Sequence, residues 1–418
     1  MSVTDLRNAF STFPHQIWVL SEFGKPIFSS CGSESDLAAT FAVIQVLVRT
    51  FESWKDTLLC IQMKGLHIQF SYRSPLILCV VSKAPANLSL QLDMIYNQVI
   101  SILSKSVLKK TFVEKGDNFD LRRWLSDLDK RVDVCLNSFV EDPVVYLTGF
   151  RILPLNPSDR EFLVSTMGSC IVEATDSVAF AVLIAHRQLV SMVRMKRLDL
   201  KASDFNILAN LVECHSSLRD GETWVPICLP HFNQNACWAF ISYLWEDNGP
   251  CLIMLSTDKN SFFTLRDVKL KILDKLDVYK RKNELKTSIS IPEQMLRTQR
   301  PNPELWHFMY KNILSSQVCC SSPAKPFIAL DEQKELYKGY FEVTDAMRKS
   351  KIGRILFVQK DEYTIFAWIT GSFELYAAFS PLVSQVSVME TAERLLRILR
   401  KEEKRVFFNI NPGVLNGP

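Results

Sequence analysis

The stretch IWVLSEFGKPIFSSCGSESD, Ile17 to Asp36, decides how the rest of this chain is read. Successive side chains of a strand point to opposite sides, so Ile17 and Val19 share one face and Trp18 and Leu20 the other. Glu22-Phe23-Gly24-Lys25 supplies a turn in which Gly24 is free to take a positive φ. Pro26-Ile27-Phe28-Ser29 begins the return strand. Gly24-Lys25 is also the dipeptide that closes a phosphate-binding loop, but the spacing fails. Such a loop needs glycine five residues before its second Gly and Ser or Thr after the Lys. Val19 and Pro26 stand there, and Pro26 removes an N–H that would face phosphate. The stretch reads as a hairpin.

Working outward, Ser35 or Asp36 serves as the N-cap of a helix. Leu37, Phe41, Ile44, Val48 and Phe51 recur at helical spacing. A second stripe runs through Val43, Leu47, Thr50 and Trp54. A helix apolar on two sides is either buried on both or offers one to a partner. Three short strands follow (TLLCIQMK, LHIQFSY, PLILCVVS), and Asn87 caps a long helix carrying Leu88, Leu92, Ile95, Val99 and Ile102. Two strands, a helix, three strands and a helix fit one antiparallel sheet flanked by helices, an α+β unit.

The order recurs without recognisable identity. VVYLTGFRILPL reads as a second pair of strands, REFLVSTMGSCIVEA as a helix, and VAFAVLIAH with QLVSMVRM as a hairpin. Ser203 or Asp204 caps the next helix. Strands CWAFISYLW and PCLIMLS and a helix with Val268, Ile272 and Leu276 close this unit. The charged, Pro-containing residues 280–304 read as a linker. The final unit has a helix, DEQKELYKGYFEVTDAMRKS, a three-stranded meander and a last helix carrying Val386, Met389, Ala392, Leu396 and Leu399. The resulting division is 13–130, 143–283, a linker at 284–304, and 305–411.

Composition narrows the function classes. The 418 residues suit two to four domains. A net charge of +4 is too mild for nucleic-acid binding, and no such motif is present. Eleven scattered cysteines without a C-x-x-C pair read as reduced and intracellular. The six histidines are dispersed, so neither a metal nor a cofactor is expected. There is no G-x-S-x-G elbow. Glu402-Glu403 reads as a solvated helix end. Lys269, Lys271, Lys275, Lys280, Arg281 and Lys282 read as a solvated face, with a lipid-headgroup or acidic-protein patch as the alternative. Trp224 to Asn233, WVPICLPHFN, is either a rigid loop over a core or an anchor for a binding groove. No covalent chemistry is indicated. Repeated α/β units with surplus apolar helix surface point to recognition or assembly.

Several blocks carry a family resemblance: WVLSEFGKPIFSSCGSE, NFDLRRWL (Asn118 to Leu125), WVPICLPHFN, SFELYAAFSPLV and LLRILRKEEKRVFF. In this order they resemble the Mon-one (SAND) family of vacuolar fusion proteins. The resemblance implies three longin modules, each a mainly antiparallel five-stranded sheet with flanking helices. It implies an obligate heterodimer with a Ccz-one-type longin protein. That complex is expected to act as a guanine-nucleotide exchange factor for the Rab-seven GTPase, in endosome maturation and vacuole fusion. The alternative is a tethering or adaptor scaffold without exchange activity. The resemblance further implies a cytoplasmic protein recruited peripherally to endosomal and vacuolar membranes by Rab-five and anionic phosphoinositides, with room for a third regulatory subunit. Family members usually carry a long N-terminal extension. Here the first module starts within about fifteen residues of Met1, so regulation assigned to that extension does not transfer. The first modules of both partners are expected to pair and form the GTPase platform. On that basis Gln45, Arg49, Glu52 and Lys55 are candidate polar contacts. Trp54 is either an apolar anchor or a residue finishing the module's own core. Lys269, Lys275, Lys280, Arg281 and Lys282 are the candidate lipid contacts.

Overall fold

The structure, a computed structural model, describes residues 15–32, 34–63, 65–83, 87–116, 120–125, 127–196, 198–214, 221–232, 237–245, 249–290, 301–349, 354–408 and 413–415. The chain divides into two compact units. One holds residues 1–137 with 228–233, the other 138–227 with 234–418.

The first unit contains β1 (His15–Ser21), β2 (Pro26–Ser29), α1 (Glu34–Ser53), β3 (Cys60–Met63), β4 (Leu66–Arg73), β5 (Leu76–Ser82), α2 (Leu88–Ile102), α3 (Lys105–Lys115) and the start of α4 (Leu128–Glu141). The sheet order is β2-β1-β5-β4-β3, antiparallel throughout. The alternation along β1 separates two cores. Ile17 and Val19 pack with Leu92, Ile95 and Val99 of α2. Trp18 and Leu20 pack with Leu37, Phe41, Ile44 and Val48 of α1. Helix α1 starts at Glu34, one residue before the expected caps. Asn87 stands at the N-cap of α2 in a left-handed conformation, φ 50°, but its side chain makes no capping bond.

The second unit holds two further sheets. The first is built from β7 (Val178–Ala185), β8 (Gln188–Met195), β9 (Glu222–Ile227), β10 (Cys237–Tyr243) and β11 (Cys251–Ser256), in the order β8-β7-β11-β10-β9. Its helices are α5 (Pro157–Val172), α6 (Ala202–Cys214), α7 (Phe262–Val278) and α8 (Lys282–Ser290). Two expectations change here. VVYLTGFRILPL is not a strand pair. Its start is a 3-10 turn, Pro143–Val145, and only Phe150–Arg151 is a strand, β6. The run is apolar because Leu147, Leu153 and Leu155 are fully buried, not because it pairs with itself. Helix α5 is consequently an addition ahead of the hairpin β7–β8. The linker read at 284–304 also begins as helix. In α8, Leu285 and Ile289 sit one turn apart and join the core beneath α7. The charges around them masked that pair. Residues 291–300 of the expected linker lie outside the described residues.

The third sheet comprises β12 (Leu305–Asn312), β13 (Gln317–Cys320), β14 (Ile355–Gln359), β15 (Thr364–Ile369) and β16 (Phe373–Phe379), ordered β14-β15-β16-β12-β13. The sequence pattern showed the meander and α9 (Leu330–Lys349) but not the opening hairpin β12–β13. Helix α10 (Gln385–Lys401) buries Val388, Ala392, Leu395 and Leu399. Relabelled from its first hairpin, each sheet repeats one strand order, 2-1-5-4-3.

The second and third sheets trade strands. β6 leaves the segment before the second sheet and pairs parallel with β13, at Gln317–Phe150 and Val318–Arg151. In return β17 (Gly413–Leu415) pairs parallel with β8. Gly149 makes the first exchange feasible, since a Cβ there would lie 2.4 Å from Val318 Cγ2. The second is fastened by Arg160 on α5. Its guanidinium donates to the carbonyls of Leu153 (2.8 Å), Lys404 (3.0 Å), Arg405 (2.9 Å) and Phe407 (3.1 Å). It also lies over the Phe408 ring. Burial with no carboxylate facing it pushes the Arg160 pKa down to about 10, so it stays charged at neutral pH. Hydrogen bonds from a charged donor contribute about 1.5–3 kcal/mol each, though not additively. Arg160→Ala is expected to cost at least about 3 kcal/mol and to expose residues 402–408 to protease. Thermal unfolding and limited proteolysis of the full chain check this, and Arg160→Lys should recover only part of the loss because a single ammonium lacks the planar fork.

Candidate docking surface

Helix α1 lies on its sheet through Leu37, Phe41, Ile44 and Val48, which leaves its opposite side to solvent. Ala38, Ala39 and Ala42 are exposed there. So is Val46, at 62%, and past the helix end Trp54 is 67% exposed and Leu59 62%. Among the described residues Trp54 makes its ring contact with the half-buried Phe51, centroids 5.4 Å apart. It does not finish the core. Its neighbour Lys55, exposed and left-handed at φ 59°, turns the chain toward the edge strand β3. Small side chains along a helix let another surface approach closely, and the flanking Val, Trp and Leu supply apolar area for it to cover.

Three of the polar candidates, Gln45, Arg49 and Glu52, are engaged within the module. Glu22, in the β1–β2 turn, is the hub. Gln45 Nε2 donates to its carbonyl at 3.3 Å and the Arg49 guanidinium to the same carbonyl at 3.4 Å. The Glu22 carboxylate accepts from Tyr72 and Ser74 and pairs with Arg49 at 3.7 Å. Arg49 also pairs with Glu52 at 2.7 Å and lies over the Tyr72 ring. Burial works against the Arg49 charge, but the bond to Glu52 and the nearby Tyr72 and Glu22 outweigh it and raise the pKa. The structure therefore brings Gln45, Arg49 and Glu52 together as braces of the hairpin turn, with Trp54 and Lys55 beside them at the solvent end. Sequence reasoning missed Glu22, Tyr72 and Ser74. Their only signal was a carboxylate in a tight turn.

That turn needs its glycine. Gly24 sits at φ +81°, its N–H donates to the Ser21 carbonyl, and a Cβ would meet Gln45 Oε1 at 2.6 Å. The amide end of Gln45 can swing away, but the left-handed backbone cannot change without losing the turn. Gly24→Ala is expected to destabilise the first unit by about 1–2 kcal/mol, read by chemical denaturation.

The turn also walls a groove of about 380 Å³, lined by Ser21, Phe23, Lys25, Pro26, Ile27, Phe112, Gly116, Asp120, Leu121 and Arg122. Phe23 stacks on Phe112, centroids 6.2 Å apart and rings nearly parallel. Arg122 is held by Asp120 at 3.0 Å.

The basic run on α7 and α8 is largely neutralised. Lys269 pairs with Glu222 at 3.0 Å, and Lys275 with Glu173 at 3.8 Å. Arg281 pairs with the buried Asp159 at 2.6 Å and with Glu284, and Lys282 with Asp277 at 3.2 Å. Lys280 follows the end of α7 in a left-handed conformation. Reversing Lys275, Lys280 and Lys282 to Glu is therefore expected to leave co-sedimentation with anionic vesicles unchanged at physiological salt. A clear loss would return these residues to a lipid-binding role. WVPICLPHFN divides: Trp224 to Ile227 lie in β9, and Cys228 onward associates with the first unit, where Cys228 N–H donates to the Ser101 carbonyl at 3.0 Å. Among the described residues, no group of three or more His, Cys, Asp or Glu is arranged to hold a metal. No helix there is long and apolar enough to cross a membrane.

Three sequence families match this chain in succession. The first longin domain of FUZ, MON1 and HPS1 matches residues 15–134, the second 176–274 and the third 304–403. The chain is 33% identical over 409 residues to human vacuolar fusion protein MON1 homolog A, covering 96% of this chain and 62% of the human protein. It is 34% identical over 406 residues to protein SAND of Takifugu rubripes, covering 96% and 77% respectively.

The chain belongs to the MON1/SAND family.

Its three sheets are the three longin domains, and the family's α+β architecture is the one described above. The likeness extends to fungi, with 29% identity over 408 residues to vacuolar fusion protein MON1 of Yarrowia lipolytica, covering 94% of this chain and 73% of that protein. The chain thus spans less than two thirds of the human relative's length.

Proposed function

We propose that this MON1/SAND chain serves vacuolar fusion and membrane traffic as one subunit of a two-chain guanine-nucleotide exchange factor for a Rab-seven GTPase. Its partner is a Ccz-one-type longin protein. The names of the relatives support the trafficking role. The observation that carries the finer reading is the uncovered side of α1, with Val46, Trp54 and Leu59 exposed around a row of alanines. An isolated longin module gains nothing from such a surface; a second longin module pairing there buries it.

The chemistry is binding, with no bond made or broken by this chain. An exchange factor accelerates nucleotide release by favouring the nucleotide-free GTPase over the loaded one, and its effect is limited by its differential affinity for the two states. Such work needs a platform that keeps its shape. The Glu22 hub, with Gln45, Arg49, Tyr72 and Ser74 converging on one turn, supports that requirement. Gln45, Arg49 and Glu52 act as braces in this reading, and Trp54 and Lys55 as contacts. Rab-five and anionic phosphoinositides bring the complex to endosomal and vacuolar membranes, with a third subunit as a further regulator.

The test is release of fluorescent GDP from the Rab by the purified heterodimer. The wild-type complex should speed release. Trp54→Ala should weaken partner pairing and slow exchange at least tenfold, while the isolated chain's stability moves by no more than about 0.5 kcal/mol, as for an exposed substitution. No acceleration by a verified heterodimer removes the exchange reading. Rab binding without a change in nucleotide off-rate would leave a tether in its place.

A further inference from the structure

The strand exchange between the second and third sheets covers one edge of each. The opposite edge is formed by the third strand of each module: β3, β9 and β14 in turn. Proteins blunt such edges with shortness, proline or charge. β3 is only four residues long. β9 carries Pro226, which has no N–H to offer, and Glu222, which pairs with Lys269. β14 has no proline and no charge. Its five residues read Ile-Leu-Phe-Val-Gln; Ile355 is 46% exposed, and Leu356, Phe357 and Val358 are half-buried. No strand lies beyond it among the described residues.

The direction of its peptide groups follows from two bonds. Ile369 N–H donates to the Arg354 carbonyl at 2.7 Å, and Lys360 N–H to the Tyr363 carbonyl at 2.9 Å. Between them β14 meets β15 in unbroken register, from Ile355–Trp368 to Gln359–Thr364. Both bonds fall on even-numbered residues of the strand side. Arg354, Leu356, Val358 and Lys360 therefore bond to β15, while Ile355, Phe357 and Gln359 turn their N–H and C=O groups outward. Among the described residues no backbone bond from another segment reaches those three.

The two ends of the strand carry opposite charge. Arg354 precedes it, and Asp361 and Glu362 form the turn that follows. All three are exposed, and none has an ion pair or side-chain hydrogen bond among the described residues. Charges flanking an apolar edge ordinarily keep other strands away. An antiparallel copy of the same edge reverses that effect. With a two-fold axis at Val358, the outward groups of Phe357 in one copy meet those of Gln359 in the other. The same register sets Arg354 of each copy across from Glu362 of its mate, and cross-strand neighbours of opposite charge attract.

We propose that β14 is a self-pairing edge. Two copies of this chain join there antiparallel about a two-fold axis, and their third sheets become one. Such a contact uses the same patch on both copies and closes on itself, so assembly stops at the dimer. Main-chain bonds supply the affinity and the charged ends fix the register. This edge is separate from the uncovered side of α1 and does not depend on the exchange reading.

Analytical ultracentrifugation of the full chain tests it, from about 1 μM to about 300 μM, a span suited to a weak complex. The wild-type chain should pass from monomer to dimer and no further. Arg354→Glu and Glu362→Arg each set like charges across the axis twice, and each should weaken the dimer at least tenfold. An equimolar mixture of the two variants restores opposite charges at both ends and should dimerise as the wild type does. Ile355→Pro, which removes one outward N–H and no bond to β15, should abolish the dimer. Hydrogen–deuterium exchange should slow at the Ile355, Phe357 and Gln359 amides only at the high concentration. Four results would each overturn the proposal: a monomer throughout, a series that continues past the dimer, a dimer that both charge variants leave intact, or a mixture that fails to recover. Wild-type exchange at the β12 and β16 amides of each variant confirms that the fold survives.

Discussion

An antiparallel sheet has two faces and two edges, and each one left bare exposes apolar side chains or unpaired peptide groups. That constraint organises this molecule. Helices on both sides cover the faces of the first sheet, and the alternation of Ile17, Trp18, Val19 and Leu20 divides the two cores between them. The second and third sheets close one edge each by exchanging short strands, and the exchange makes one compact unit of two modules. Where the covering stops, at the solvent side of α1, Val46 stays exposed, with Trp54 and Leu59 beyond the helix end.

The same constraint separates stabilising residues from contacting ones. A polar side chain already satisfied within its own module contributes to the shape of a docking surface more than to its adhesion. Gln45, Arg49 and Glu52 are of that kind, because the first two bond to the turn that Gly24 permits and Glu52 pairs with Arg49. Trp54 is the reverse. Its one ring neighbour among the described residues is Phe51, and most of it faces water. The lysines of α7 and α8 illustrate a limit of reading charge from composition: a row of cations looked basic until the sheet and α5 set Glu222, Glu173 and Asp159 against it.

Local periodicity carried most of the first module, since its strands and helices are each continuous and each covers one face. The core stripe of α1 was legible from Leu37 to Phe51. What could not be read were features fixed by distant partners. VVYLTGFRILPL has the apolar density of strands, yet its burial comes from lying between two sheets. Leu285 and Ile289 are two apolar residues in a charged run, too few for a helical period to stand out. Of the candidate site, the exposed Trp54 was in view as an alternative, whereas the Glu22 hub links residues as far apart as Ser74 and Gln45 and has no signature in spacing.

The late clasp also bears on synthesis. The β8 edge and the four carbonyl acceptors of Arg160 cannot all be satisfied until a segment more than two hundred residues downstream of β8 has left the ribosome. At roughly 5–20 residues per second that is a wait of about ten to forty seconds. During it the guanidinium has one of its four carbonyl acceptors within reach, that of Leu153.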